Sequence, residues 1–336
     1  MRNTTNPVPL ALALLAASFA CAAASPTRHV VDVIKVGGPD GWDYTTYDPS
    51  TRTVYVAHGS SIAAVNVLTR TAKAHLTDAQ GAHIAFPYDG GRMLLVTHGR
   101  ANTVTLNDAK SGAVKASIEV DARPDAAVVD PHTGRGFVMT GGSGIVDVID
   151  LKTNAVLAHI PAGGPPEAGA DDGHGLVFTH LEDKHSIVVI DGVGMQVKAT
   201  YVLEGCEEPS GIAYISGKDL ILSACHNEIA RLTDARSGKE VASLPIGKRP
   251  DSAFYDDKHQ LGYVPCGDGT LTVIDFSGAQ PKIAEVVTTK PGARTGAVDP
   301  ATGLVYLPTA ELGPPEKAGG RPSIVADTFQ VLVVGN

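Results

Sequence analysis

Aromatic residues make up only 5% of this 336-residue chain, with a single Trp, and long stretches of helical periodicity are missing. That lack excludes a helical bundle and leaves Val, Ile, Leu and Ala on pleated surfaces to form the core. After the first two dozen residues no apolar run approaches the roughly 20 needed for a spanning helix, so no transmembrane segment is expected. Basic runs are also lacking, and 36 acids against 27 Lys and Arg give a formal charge of −9. Such a surface repels nucleic acid and anionic lipid. No Cys-x-x-Cys, His-Glu-x-x-His, Gly-x-Ser-x-Gly or phosphate loop occurs, so chemistry, if present, must be assembled from distant residues.

What the chain does have is a repeat. Asp-led turns start at Asp48, Asp89, Asp130, Asp172, Ser216, Asp256 and Asp299, at steps of 41, 41, 42, 44, 40 and 43 residues. A period in the low forties built from strand-type segments is the pattern of propeller blades of four strands each. Blade 1 sets the template, with strands over 44–47, 53–57, 62–67 and 72–76, and blade 3 repeats it. In Asp-Pro-x-Thr-Gly the Asp caps following N–H groups, Pro presets φ and Gly takes a left-handed position. The expected fold is therefore an all-β, seven-bladed propeller of antiparallel blades, one domain over 25–336. Blade 7 shows only three strands, so the leftover segment His29–Val36 should supply the fourth and close the ring.

Residues 1–24 read as a signal peptide: Arg2, an apolar run from Val8 to Ala20, then Ala22, Ala23 and Ala24. Its removal takes one Arg and no acid, moving the charge from −9 to −10. An exported protein, periplasmic or secreted, is expected. Lipid anchoring through Cys21 is disfavoured because no Leu stands three residues upstream.

The turns are followed by Val-Tyr-Val at 54–56, Gly-Tyr-Val at 262–264 and Val-Tyr-Leu at 305–307. Val-Ile-Asp recurs at 148–150, 189–191 and 273–275. In these motifs the chain resembles the YVTN-type seven-bladed propeller repeats of exported bacterial and archaeal proteins, over residues 29–336. The resemblance implies the fold and leaves activity open, since that family is functionally mixed.

Counting outward from each turn pairs the two ends of every inner hairpin: Asp43 with His58, His83 with His98, Asp125 with Thr140, Glu167 with His180, Glu208 with Cys225, Asp251 with Cys266, and Arg294 with Thr309. Four of the twelve His and two of the Cys fall in these places. They suggest a polar funnel at the mouth of the central channel, where a small molecule, metal ion or protein partner would bind. Ligand-binding candidates are Trp42, Asp43, Asp125, Glu208, Asp251 and Arg294. A transition-metal site for copper or zinc would use His58, His83, His98 and His180. An enzyme would draw on Glu167, His180 or Cys266 for proton transfer or nucleophilic attack. The competing readings are a water-filled polar channel and an interaction scaffold that uses only rim loops. Oligomeric state is open, and a monomer is consistent with the sequence.

In an exported protein disulfides are allowed. Hairpin proximity favours a Cys206–Cys225 bond with Cys266 free, the alternative being Cys225–Cys266. The stretch from Glu311 to Pro322 reads as an irregular loop over the top face.

Overall fold

The protein is described as a computed structural model over residues 27–38, 41–315, 317, 320 and 322–336, with Met1. The expected signal segment, Met1 aside, and Cys21 lie outside the described residues. Seven four-stranded antiparallel sheets follow one another as blades around a central channel. The innermost strands are Trp42–Asp48, Ala85–Tyr88, Pro124–Asp130, Pro166–Asp171, Pro209–Ile215, Phe254–Asp256 and Ala297–Val298. Among the described residues the only helical element is a single 3-10 turn, Glu182–Lys184.

The ring closes as the strand count requires. His29–Lys35 pairs antiparallel with Gln330–Gly335 and forms the outermost strand of blade 7. Arg28 ties this seam to blade 6, its backbone N–H and guanidinium both donating to Glu285 at 3.0 and 2.6 Å. Closure gives blade 7 its fourth strand, so the edges left are the short outer ones that every blade has.

The turn chemistry is visible in the hydrogen bonds. Asp48 accepts from the Ser50 N–H at 3.0 Å, Asp130 from the Thr133 N–H at 2.9 Å, and Asp299 from the Ala301 N–H at 2.9 Å. All three carboxylates are buried beneath their turns. Blade 2 departs: Tyr88 pairs with Met93 as Asp48 pairs with Thr53, so Asp89 stands one residue too late to cap. Asp89 is instead exposed and held by Arg92.

The core lies between blades. Near the middle of the second strands stand Tyr55, Leu95, Phe137, Phe178, Leu222, Tyr263 and Tyr306, all buried. Phe178 stacks on Tyr214 of the next blade at 5.6 Å, and Tyr306 meets Tyr47 at 5.6 Å. Each such buried side chain contributes on the order of 2 kcal/mol. The segment expected to be an irregular loop forms a small hairpin, Leu312–Pro315 with Pro322–Ile324. It sits against Gly41, where an added Cβ would lie 3.2 Å from Ile324.

Candidate functional site

The hairpin registers decide which side chains face the channel. Trp42, Pro124, Pro166, Pro209 and Pro250 lie opposite His58, Thr140, Leu181, Cys225 and Cys266. In the first four blades of that set the register then shifts by a bulge. A bulge places two residues against one and re-aims the extra side chain. The residues immediately after these positions, Asp43, Asp125, Glu167, Ser210 and Asp251, therefore turn toward the axis. His83 of blade 2 and Arg294 of blade 7 join the ring through their contacts with Asp43 and Asp251.

Contacts across blades confirm the convergence. His83 Nδ1 lies 2.8 Å from Asp43 and 3.4 Å from Asp125, joining blades 1, 2 and 3. Arg294 reaches Asp251 at 3.2 Å. Tyr44, on blade 1, donates its hydroxyl to Glu167 of blade 4 at 3.4 Å, across the channel. Tyr44 thus floors a polar mouth, and below it the inner strands enclose an apolar channel lined by Ile84, Ala127, Ile212 and Ala253. A recess of 420 Å³ opens above blades 1 to 3, between Trp42, Asp43, His83, Arg100, Arg123 and Asp125.

Four carboxylates face this mouth, with the Arg294 guanidinium and the His83 imidazole among them and Arg100 and Arg123 at the edge of the recess. Burial, then the charge of Asp125, raises the Glu167 carboxyl well above its usual range. Burial pushes Asp251 up to about 7, against the opposing pull of Arg294. Asp125 is raised too, by burial against the opposing pull of His83, with Asp43 adding to the rise. Burial alone would lower His83, but its bond to Asp43 and the charge of Asp125 lift it to about 9, so it stands as a cation.

Blade 5 departs from the sequence expectation. Glu208 precedes the ring position; it is exposed and pairs outward with His226 at 3.1 Å. Its place is taken by the buried Ser210, whose hydroxyl donates to the Pro250 carbonyl at 3.0 Å. Trp42 borders the recess but packs its ring on Phe329 at 5.8 Å, in the seam between blades 7 and 1.

The second-strand ends turn away from the funnel into the seams between blades. His58 is buried and stacks on Phe329 at 4.2 Å. His98 accepts from the Gln80 N–H through Nδ1 at 3.3 Å, which leaves Nε2–H to donate to Thr105 at 2.8 Å. His180 lies one residue short of the strand end, because Leu181 occupies that register. Its Nδ1–H points to the Ser210 carbonyl at 3.5 Å, its Nε2 accepts from Ser223 at 2.8 Å, and burial lowers its pKa to about 4. With both ring nitrogens engaged, His98 and His180 have no lone pair to offer a metal. The four imidazoles expected to hold copper or zinc are not brought together.

Among the described residues, the only His, Cys or carboxylate donors that gather in threes within 4.8 Å are Asp121, Asp147 and His159, on the outer part of blade 3. There His159 Nδ1 itself bridges the carboxylates, at 2.8 and 2.6 Å, which raises its pKa. That arrangement is a self-satisfied ion triad.

Cys206 and Cys225 form a disulfide, leaving Cys266 free and buried. The Cys266 thiol points to the Val264 carbonyl at 3.6 Å, and burial pushes its pKa up to about 12. Glu167 and His180, paired in the sequence reading as a proton-transfer couple, are separated: one faces the mouth, the other a seam. Sequence reasoning missed Tyr44, Ser210 and Glu182, whose charge also raises Glu167 and Asp125. The available signal was the Pro of Pro-Asp, Pro-Glu, Pro-Ser and Pro-Asp at 124, 166, 209 and 250. A residue without an N–H belongs at the first position of a strand, which fixes the register.

No protein-family model matches the chain, and no curated protein matches its sequence. Solved structures do resemble it. A chain from the Kuenenia stuttgartiensis hydrazine synthase superposes with a TM-score of 0.71 at 16% identity, over 87% of this chain and 96% of that one. A chain of the mitotic checkpoint complex gives 0.75 at 13% identity, over 95% and 98%. At these identities the likeness is one of architecture: the chain shares the seven-bladed β-propeller fold with both.

Proposed function

We propose that the protein is a binding protein whose central mouth takes a small organic cation, one carrying an ammonium or amidinium group. The observation that carries this reading is the ring itself: Asp43, Asp125, Glu167 and Asp251 converge from four blades, with His83 and Arg294 paired among them and Arg100 and Arg123 at the rim of the recess. A cation entering there would offset the burial, and with it the carboxylate repulsion, that keeps Glu167 and Asp251 partly protonated. A bare metal ion suits the mouth less well, since no three of its donors lie within 4.8 Å of one another. Hydrogen bonds to charged groups contribute about 1.5–3 kcal/mol each, enough for tenfold discrimination per contact.

The test is a thermal-shift and calorimetric comparison of 1,4-diaminobutane, benzamidine and tetramethylammonium with succinate and benzoate. The cations should raise the melting temperature and the carboxylates should not; Glu167→Gln and Asp251→Asn should each weaken the best cation about tenfold. No stabilisation by any cation sinks the reading. Export, supported by the N-terminal segment from Arg2 to Ala24, is part of the same proposal. Mature protein beginning near Ser25 in a periplasmic or culture fraction would support it, and an unprocessed chain in the cytoplasm would refute it.

A further inference from the structure

A second concavity lies far from the mouth, on the turn side of the seam between blades 2 and 3. It encloses 700 Å³ and is lined by Phe86, Tyr88, Met93, Leu106, Val129 and Leu151. Its origin can be read from the repeat. Where neighbouring seams are filled by Phe137, Phe178, Tyr263 or Tyr306, blade 2 supplies Leu95, facing Gly136; a Cβ there would lie 2.7 Å from Leu95 Cδ1. Blade 5 also has a Leu at this position, Leu222 opposite Gly262, but Phe276 fills that seam, coming within 2.7 Å of a Cβ on Gly262. The residue matching Phe276 in blade 3 is Leu151, which follows Asp150 as Phe276 follows Asp275. In addition, Tyr88 stands where blades 1, 3, 6 and 7 have the buried Asp48, Asp130, Asp256 and Asp299, and presents its ring to the groove. The missing aromatic bulk leaves a space with the size and lining of a small-molecule pocket.

The charges at its rim are not balanced. Asp89 is taken up by Arg92 through its backbone carbonyl and both carboxylate oxygens. Asp171 accepts from the Gly173 N–H at 3.0 Å, and burial raises its carboxyl to about 6. Lys115 and Lys152 also line the groove and form no ion pair among the described residues. A ligand that fills the apolar floor and carries a negative group at one end would complement both features. We propose that this groove is a second binding site, for a flat apolar molecule bearing one anionic group, such as an aromatic carboxylate or sulfonate.

The probe is 8-anilinonaphthalene-1-sulfonate, titrated by fluorescence and calorimetry against the folded full-length protein. One site with blue-shifted emission is expected. Leu151→Phe restores the filler found in blade 6 and should weaken the probe at least tenfold. Lys115→Glu with Lys152→Glu, at the rim where folding is not at risk, should weaken it at least fivefold. Asp251→Asn, in the central mouth, should leave it unchanged. Unaltered affinity in both groove variants, or loss in Asp251→Asn, overturns the proposal.

Discussion

The two ends of each inner hairpin carry similar chemistry and have opposite fates. On the first strand Asp43, His83, Asp125, Glu167, Asp251 and Arg294 face the channel mouth and pair loosely across blades. On the second strand His58, His98, Cys225, Cys266 and, one residue earlier, His180 are buried in the seams. In blades 1, 3, 4 and 5 the difference comes with a bulge at the start of the hairpin. It teaches that the mouth trades stability for unsatisfied charge, whereas the seams convert the same residue types into structural ties.

Breaking a seam should therefore cost stability and spare the mouth. The largest effects are expected at the disulfide and at His180. Opening Cys206–Cys225, which closes a loop of 19 residues, should cost about 3 kcal/mol. His180→Ala removes a fully buried ring and leaves the Ser223 hydroxyl without its acceptor, also about 3 kcal/mol. Urea denaturation with and without reductant, and of the variant, measures both. Cation affinity of the folded His180→Ala protein should be unchanged; a tenfold loss would mean the seam and the mouth are one site.

Much of this architecture was legible in the sequence because its determinants are local. Asp-led turns and alternating apolar residues declare themselves within a dozen positions, and counting strands in blade 7 was enough to place His29–Lys35. The channel-facing set was half legible. Asp43, Asp125, Asp251 and Arg294 were found, but Glu208 was chosen over Ser210, and the imidazoles of His58, His98 and His180 were read as facing the mouth. Symmetric counting from a turn assumes an unbroken ladder, and a bulge or a short turn, as at Asp172–Leu176, violates it. The groove between blades 2 and 3 was not legible, because it arises from bulk missing at Leu95, Gly136 and Leu151 together.

A change in the mouth should act with the opposite sign. Glu167→Gln keeps an acceptor for the Tyr44 hydroxyl and removes a buried charge, so at pH 9 it should raise stability by about 1 kcal/mol while weakening cation binding. Asp251 gives the pH dependence. Its folded-state pKa of about 7 lies above the ordinary 3.8, so within that window the folded protein holds a proton that the unfolded chain has released. Stability due to this group is present at acid pH and declines as pH rises through 7; cation affinity moves the other way, climbing up to tenfold per unit until about pH 7. Melting curves and titrations from pH 5 to 9 should show both slopes, flattened in Asp251→Asn. A wild-type affinity that does not vary with pH would remove Asp251 from the site.

The smallest effect separates a buried thiol from an active one. Cys266 occupies a seam, and with a pKa near 12 only about one thiol in 10⁴ is ionised at pH 8, against roughly a quarter of free cysteines. Iodoacetamide should therefore label the folded protein at least a thousandfold more slowly than the urea-unfolded chain. Cys266→Ala should leave cation affinity intact and cost about 1 kcal/mol, the loss of one small buried group. Rapid alkylation of the folded protein at neutral pH would place an activating group beside this sulfur, and with it chemistry in the seams rather than at the mouth.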